Sequence, residues 1–265
     1  MLLLLGSVAN AWDQRPPLPV QQCQVHSPYG FADTQRTAQP ICREGYLVAY
    51  DAPVKIPVYV AYTLKPENAL GCFPRTNAFV ADQSIPNGAT PSDYVGTGYD
   101  KGHAAPDGDL SWSQQVEYEC YLMTNMYPQH GSLNRGIWKL LETSVRGWAV
   151  QLNQSYTIYV GAMYGAGDES FKGIIIPHGY YKIVINNVTN EVAAWRFPHT
   201  KPYVNLGNDL TKFRVPVQQL QQEAGVRFKF PGNAKELPPN QVWPVNFGAL
   251  TNAKRAKCGA NAKDD

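Results

Sequence analysis

The sequence lacks any long apolar run beyond its first residues. No later stretch approaches the roughly 18 consecutive apolar residues that a membrane-spanning helix needs, which argues against a membrane-embedded protein. Charge is also scarce, because charged residues make up 17% of the 265 residues and the formal net charge is only +2. This balance is far from the strongly basic composition that by itself indicates a nucleic-acid binder. Composition alone therefore leaves the function open.

Basic residues are concentrated in two places. One cluster consists of Arg135, Lys139 and Arg146, and the other is the tail segment 254–257. Either cluster could attract phosphate groups, and for both the alternative is an ordinary solvated surface.

The five cysteines are too far apart for a zinc ribbon or a CxxC redox motif. Cys23 and Cys42 enclose a loop-like stretch that contains proline, and we predict that they form a disulfide. Cys72, Cys120 and Cys258 cannot be paired from the sequence. An odd count leaves one thiol over, so we expect two bridges and one free cysteine.

The N-terminus is a short apolar run that ends in Ala9-Asn10-Ala11, as at a signal-peptidase site. We therefore expect residues 1–11 to be a signal peptide and the mature protein to be secreted or periplasmic, where disulfides persist. The usual positive charges before the apolar run are missing. This leaves two alternatives, a truncated start or a buried N-terminal strand.

The remaining residues, 12–265, predict a single domain. Residues 12–43 predict an irregular arm, and the β-branched and aromatic runs 46–50 and 58–64 predict a hairpin. A long loop over residues 74–98 leads to a polar strand end at residues 99–103. We expect a short apolar strand at 121–125 and then a helix from Arg135 to about residue 151, whose apolar residues recur every three or four positions.

Four further strands are predicted at residues 156–163, 173–177, 180–185 and 192–197. The links between them are short and rich in turn-forming residues, which favours antiparallel pairing. Asp209 is a favoured N-cap residue, and we expect it to begin a last short helix that runs through residue 222.

Residues 75–142 contain candidates for phosphodiester hydrolysis, which needs a general base and a cation for the phosphate. His103 suits the base, because an unperturbed pKa of about 6.5 leaves it largely neutral at pH 7. Asn134 and Glu142 are eight residues apart on the predicted helix, roughly 80° apart in azimuth, so both can face one cleft. An amide oxygen suits Mg²⁺, which takes few protein ligands. Taken singly, His103 can equally be a structural histidine and Asn134 a plain helix N-cap.

Three segments resemble a known family. The segments DKGHAAP (residues 100–106), MTNMYPQ (residues 123–129) and LNRGIWKLLE (residues 133–142) closely resemble the DNA/RNA non-specific endonucleases, which are ββα-metal nucleases. Residues 74–79 and 91–94 resemble the family's preceding loop, and residues 215–228 its closing segment. The resemblance covers residues 44–230, which we take as the family core, with residues 231–265 as a C-terminal extension.

The resemblance implies an α+β fold with a central, mainly antiparallel sheet flanked by helices and a ββα-metal motif that holds one divalent ion. That ion is expected to be Mg²⁺, with Mn²⁺ able to substitute. Matching the motifs assigns these roles: His103 as general base, Asn134 as the only direct protein ligand of the metal, Glu142 and Asp100 as acids that contact the metal through water, Arg75 at the scissile phosphate, and Asn125 as support for the histidine and water network.

The sequence departs from the family at Lys101, since the family motif usually reads Asp-Arg-Gly-His. Lysine keeps the positive charge but loses the planar fork of arginine. We therefore expect a weaker or displaced phosphate contact, which affects the rate more than the function.

The resemblance predicts a secreted, Mg²⁺-dependent endonuclease that cuts DNA and RNA without marked sequence specificity and leaves 5′-phosphates. Contacts to phosphates rather than bases explain such indifference to sequence. One alternative is a catalytically weakened nucleic-acid-binding module, of which Lys101 would be the first sign. Another is a phosphodiesterase of the same fold that acts on a small substrate.

Overall fold

The computed structural model describes residues 14–260 and residue 262. The expected signal peptide of residues 1–11 therefore lies outside the described residues. Over the described part of the chain, no helix is long and apolar enough to cross a membrane.

The described residues form short and long strands and six α-helices. The strands are β1 Asp33–Thr34, β2 Gln39–Cys42, β3 Leu47–Asp51, β4 Ile56–Leu64, β5 Tyr99–His103, β6 Met126–His130, β7 Tyr156–Met163, β8 Ser170–Phe171, β9 Ile174–Ile175, β10 Gly179–Asn186, β11 Glu191–Pro198, β12 Val226–Arg227 and β13 Lys235–Glu236. The helices are α1 Pro66–Ala69, α2 Asp107–Leu110, α3 Gln114–Cys120, α4 Lys139–Leu152, α5 Val217–Ala224 and α6 Phe247–Cys258.

A seven-stranded sheet lies at the centre of the fold, in the order β13-β11-β10-β7-β4-β3-β2. Every neighbouring pair is antiparallel except β11 and β13. The predicted α+β fold with a mainly antiparallel sheet is confirmed. The predicted hairpin and the strands at 156–163, 180–185 and 192–197 are also confirmed, with boundaries that differ by three residues at most.

The central sheet is buried on both faces. Along β10, Tyr180 and Val184 belong to one hydrophobic core, while Tyr181 and Ile183 belong to the other. Successive side chains of a strand point to opposite faces, so each strand serves both cores. Helix α4 packs in the first core through residues such as Trp148, and α5 packs in the second.

A separate antiparallel pair, β5 and β6, precedes α4 and completes a ββα unit. His103 is paired with Met126, and Asp100 with Gln129. A Cβ atom at Gly102 would collide with the Gln129 side chain, so the pair needs glycine at this position. A wide helical turn, Leu133–Trp138, joins β6 to α4.

The prediction of a strand at residues 121–125 was wrong. Met123–Asn125 forms a 3-10 turn, and the strand that pairs with β5 begins at Met126. Tyr121, Leu122 and Met123 are buried by the packing of this turn. A short apolar run indicates that its residues are buried, but it does not determine whether their backbone forms a strand or a turn.

The predicted helix from Asp209 through residue 222 is two elements. Asp209 accepts a hydrogen bond from the backbone N–H of Thr211 and caps only the 3-10 turn Leu210–Phe213. Pro216 has an extended backbone and is the N-cap residue of α5. The two elements are separate because proline disfavours a helical conformation in the residue before it, Val215. The strand predicted at residues 173–177 is also shorter than expected, because only the two residues of β9 form a strand.

Over its described residues, 14–43, the predicted arm of residues 12–43 is more regular than expected. Strand β2 forms the edge of the central sheet beside β3, and β1 pairs with β12. At the other end, α6 packs against α4, a helix that the sequence analysis did not anticipate.

Two disulfides and one free thiol are present. Cys23 and Cys42 form the predicted bridge, and Cys72 is bonded to Cys258. Cys120 is the buried free cysteine. The second bridge fastens the end of α6 to the segment 71–79, which has no regular secondary structure.

We predict that the double substitution Cys72→Ser with Cys258→Ser lowers the free energy of unfolding by roughly 2 to 5 kcal/mol, the usual cost of losing a native disulfide. Urea unfolding under non-oxidising conditions would measure it. Ala256→Ser, at an exposed position of α6, is the control. An unchanged midpoint in the double variant would show that the bridge contributes nothing to stability.

Candidate active site

A cleft of about 290 Å³ lies where β5, the start of α2 and the N-terminal half of α4 meet. It brings together five of the predicted residues, namely Arg75, Lys101, His103, Asn134 and Glu142. The cleft is further lined by Pro106, Asp107, Gly108, Arg135, Lys139 and Arg146. Positions separated by up to 71 residues therefore converge on one small volume.

His103 ends β5 and is almost completely buried, with 7% of its surface exposed. Its ring packs edge-on against Tyr121, with ring centroids 5.0 Å apart, and against Phe79 at 5.5 Å. Its Nε2 atom has no hydrogen-bond partner. The pKa of His103 is lowered to about 3. Burial is the largest cause, the positive charge of Arg75 adds to it, and the negative charge of Asp107 opposes it. His103 is therefore a neutral imidazole at physiological pH.

Asn134 lies on the wide turn before α4 and faces Asp100 of β5. Its Nδ2 donates a hydrogen bond to Asp100 Oδ2 at 3.0 Å. Arg135 Nε lies 3.4 Å from the same oxygen. The amide nitrogen is thus directed to Asp100, and Asn134 lines the cleft while Asp100 lies just outside it.

Glu142 lies on α4, and its side chain is 12% exposed. Its Oε1 lies 3.5 Å from Nζ of Lys182, a fully buried side chain on β10. Burial raises the pKa of Glu142, and the Lys182 charge opposes that shift. The Lys182 ammonium also lies 4.7 Å from the Trp138 ring centroid. Lys182 was not anticipated, because a lysine inside an apolar strand carries no motif.

Asn125 does not reach the cleft. It is fully buried behind His103, where its Oδ1 accepts from the Ala105 backbone N–H and its Nδ2 donates to the carbonyls of Ala105 and Cys120, each at 2.9 Å. Two of these contacts hold the backbone that follows His103, and the third holds the end of α3. Asn125 therefore supports His103 by fixing the chain behind it.

Lys101 projects into the cleft beside aromatic rings. Its Nζ lies 4.8 Å from the centroid of Phe79 and 6.0 Å from that of Tyr94. No carboxylate of the described residues is within ion-pair distance of it. The positive charge of Lys101 is therefore available to a phosphate. It is a point charge beside aromatic rings and lacks the planar, bidentate geometry of an arginine.

A sequence profile of the DNA/RNA non-specific endonucleases matches residues 27–235. The chain belongs to this family. The match begins before and ends slightly beyond the residues 44–230 that carried the resemblance, so part of the arm also belongs to the family core.

Several named nucleases of the family are similar to this chain. A mitochondrial "Nuclease 1" of Schizosaccharomyces pombe is 29% identical over 243 residues, covering 80% of this chain and 74% of the relative. A "Nuclease" of Nostoc is 29% identical over 251 residues, covering 86% and 89%. Human mitochondrial endonuclease G is 27% identical over 212 residues, covering 72% and 69%.

The fold is also similar to a solved structure. A crystal structure of an EndoG/EndoGI complex superimposes with a TM-score of 0.67 at 23% identity, covering 88% of this chain and 96% of that one. The family and the fold together identify the chain as a metal-dependent non-specific endonuclease.

For the basic cluster of Arg135, Lys139 and Arg146, the sequence left two alternatives open, a phosphate-attracting site or a solvated surface, and Arg146 does not lie at the surface. It is buried in the cleft wall, where its Nη1 donates to Asp109 Oδ1 at 2.8 Å. Tyr62 donates to the other oxygen of Asp109 at the same distance. Arg135 and Lys139 are the members of that cluster that lie nearer solvent. The available signal was the spacing of four residues between Glu142 and Arg146, which places both side chains on one face of α4.

Gly108 allows Arg146 to occupy the cleft wall, because a Cβ atom there would lie 2.7 Å from the guanidinium. We predict that Gly108→Ala lowers the free energy of unfolding by about 1 to 3 kcal/mol, the usual cost of overpacking. Gly232→Ala, where a Cβ meets open space, is the control. Equal unfolding midpoints for the two variants would contradict the close packing.

Proposed function

We propose that this protein is an exported, Mg²⁺-dependent endonuclease that hydrolyses DNA and RNA with little regard for sequence and leaves 5′-phosphates. The observation that carries the proposal is the convergence of His103, Asn134, Glu142 and Arg75 on one cleft. A neutral base, oxygen donors for a hard cation and positive charge for a phosphate are thus present within one volume.

The residues of the cleft fit Mg²⁺. Asn134 directs its amide nitrogen to Asp100, so its oxygen remains as a neutral donor. Glu142 lines the same cleft with a carboxylate whose Oε1 lies 3.5 Å from Lys182 Nζ. One amide oxygen, with carboxylates acting through water, matches an ion that keeps most of its waters. When bound, Mg²⁺ supplies positive charge for the phosphate and the leaving oxygen.

His103 performs the proton transfer in the proposed reaction. Its neutral imidazole accepts a proton from the attacking water as the water oxygen bonds to phosphorus. The bond from phosphorus to the 3′ oxygen breaks, and that oxygen takes up a proton from solvent and leaves as a 3′-hydroxyl, so the phosphate stays on the 5′ side. Tyr121 and Phe79 hold the ring in place, which keeps the base in reach of the water.

Four further cationic side chains surround the base and the metal donors: Arg75, Lys101, Arg135 and Lys139. Positioned cations stabilise the charge that develops on the phosphate. They recognise the backbone that DNA and RNA share and carry no sequence information, which supports a non-specific activity.

Export is proposed from the apolar N-terminal run together with the two disulfides, which persist in oxidising compartments. Several of the relatives are named as mitochondrial nucleases. Fractionation of the native source, followed by N-terminal sequencing, separates the two locations, and export predicts a mature chain that begins near Trp12.

Digestion of supercoiled plasmid, of RNA and of a dinucleotide by the purified chain tests the function. We expect cleavage of both polymers in Mg²⁺, weaker action on the dinucleotide, and no cleavage in EDTA. Binding to DNA without cleavage in Mg²⁺ or Mn²⁺ would instead support the weakened binding module. Preference for the dinucleotide would support the small-substrate phosphodiesterase.

Asn134→Ala tests the metal assignment. We predict that it abolishes cleavage and weakens Mg²⁺ binding in calorimetry, because it removes the only direct protein ligand, while circular dichroism stays unchanged. The exposed Asn240→Ala is the control. A metal-bound structure with two or more carboxylates coordinated directly to the ion would overturn the assignment.

The pH dependence tests His103. The imidazole is active above its pKa, and burial and Arg75 lower that pKa from 6.5 to about 3. We therefore expect the acid limb of kcat/KM to lie below pH 6.5, and Arg75→Gln to move it to higher pH.

Folding must be monitored in the same series. Burial also lowers the pKa values of His26 and His199 to about 4, so their stabilising contribution is lost as pH falls from 6.5 through 4. An acid limb at or above pH 6.5 in folded enzyme would contradict the assigned environment.

A further inference from the structure

Arg75 lies on a segment without regular secondary structure. No helix or strand includes residues 71–79, and yet the Arg75 side chain must reach the cleft that α2 and α4 form. The Cys72–Cys258 disulfide and a backbone hydrogen bond from Phe73 to Ser111 hold the beginning of the segment. Within the segment, Arg75 Nε donates a hydrogen bond to Asn77 Oδ1 at 2.9 Å.

Two buried carboxyl groups lie beneath this segment. Asp107 opens α2 and is 2% exposed, and Glu117 on α3 is 3% exposed. One carboxyl oxygen of Asp107 and one of Glu117 lie within 4.8 Å of each other. Two carboxylates this close in a buried site repel each other strongly, so one of the two carries a proton.

The proton resides on Glu117. Burial, followed by the hydrogen bond and the negative charge of Asp107, raises the pKa of Glu117, while the pKa of Asp107 is lowered. Two like charges at this distance cannot both ionise in a buried site. Cys120 Sγ, 4.0 Å from Glu117, adds no charge because burial raises its pKa well above the ordinary value.

Each carboxyl meets a different part of the Arg75 segment. Asp107 Oδ2 lies 3.9 Å from Arg75 Nη1, and the backbone N–H of Thr76 lies close enough to Glu117 to oppose the rise in the pKa of that carboxyl. Asp107 Oδ1 also accepts a hydrogen bond from Tyr121 at 2.9 Å. Tyr121 is the residue whose ring packs against His103.

We propose that Asp107 and Glu117 share one proton and act as a positioning pair, which clamps the Arg75 segment and orients the Arg75 guanidinium toward the phosphate beside His103. Asp107 binds the side chain of the segment, and Glu117 binds its backbone. One buried negative charge is retained opposite one partly exposed arginine, which gives the arrangement a balanced charge. The proposal rests on the proposed role of Arg75 at the phosphate.

A double-mutant cycle on kcat/KM tests this coupling. Asp107→Asn is expected to lower kcat/KM about 10- to 100-fold, within the range of coupling energies between contacting side chains. In an Arg75→Gln background the same change is expected to have little further effect, because Asp107 acts through Arg75. Asp51→Asn is the matched control, since Asp51 accepts a buried hydrogen bond from Tyr164 at 2.8 Å away from the cleft.

A comparison of the activities of Glu117→Gln and Glu117→Leu tests whether Asp107 and Glu117 share a proton. Glu117→Gln keeps one donor for Asp107 and one acceptor for Thr76, so it is expected to retain clearly more activity than Glu117→Leu. Equal loss in both variants, or an Asp107→Asn effect that simply adds to that of Arg75→Gln, would overturn the proposal.

Hydrogen–deuterium exchange of peptides that cover residues 71–79 gives a readout independent of catalysis. Faster exchange is expected in Asp107→Asn and Glu117→Leu, but not in Asp51→Asn. If the wild-type protein cut no nucleic acid while this exchange pattern held, the proposed function would fail and the clamp would stand. Unchanged exchange in both variants would overturn the clamp even in an active nuclease.

Discussion

The antiparallel pairing of β5 with β6 is the constraint on which the rest of the site depends. The register places His103 opposite Met126 and Asp100 opposite Gln129, and it holds only because Gly102 leaves room for the Gln129 side chain. A slip of one residue would turn every side chain of β5 to the other face. The His103 side chain would then point away from the cleft, and Asp100 would no longer accept a hydrogen bond from Asn134.

Many charged side chains of the site are buried and therefore largely shielded from water. Arg146 is matched by Asp109, Lys182 lies beside Glu142, and Asp107 with Glu117 lies behind Arg75. Burying an unpaired charge costs far more than burying a paired one, so each cleft cation other than Lys101 has an acidic neighbour or lies nearer solvent. This pairing fixes the cations before a substrate arrives, while burial and the positive charge of Arg75 keep the His103 imidazole neutral.

Much of the fold and site was predictable because it rests on local signals. The alternating and apolar runs predicted the long strands. Helical spacing predicted that Asn134 and Glu142 can face one cleft, and the resemblance to the family added His103. Contacts between distant parts of the chain escaped prediction. Lys182 reaches Glu142 only through the order of strands in the sheet, Asp107 meets Glu117 across two helices, and Cys72 meets Cys258 over a separation of 186 residues. The strand at 121–125 failed because an apolar run in a buried turn resembles one in a strand.

The central claim is that His103 is the general base. His103→Ala in Mg²⁺ is predicted to lower turnover about 10²- to 10⁴-fold, the usual contribution of a positioned base, with little change in DNA affinity. Added imidazole is predicted to restore part of the rate, and 1-methylcyclohexane, which cannot accept a proton, none. Plasmid cleavage by His103→Ala at a rate close to that of the wild type would contradict the account.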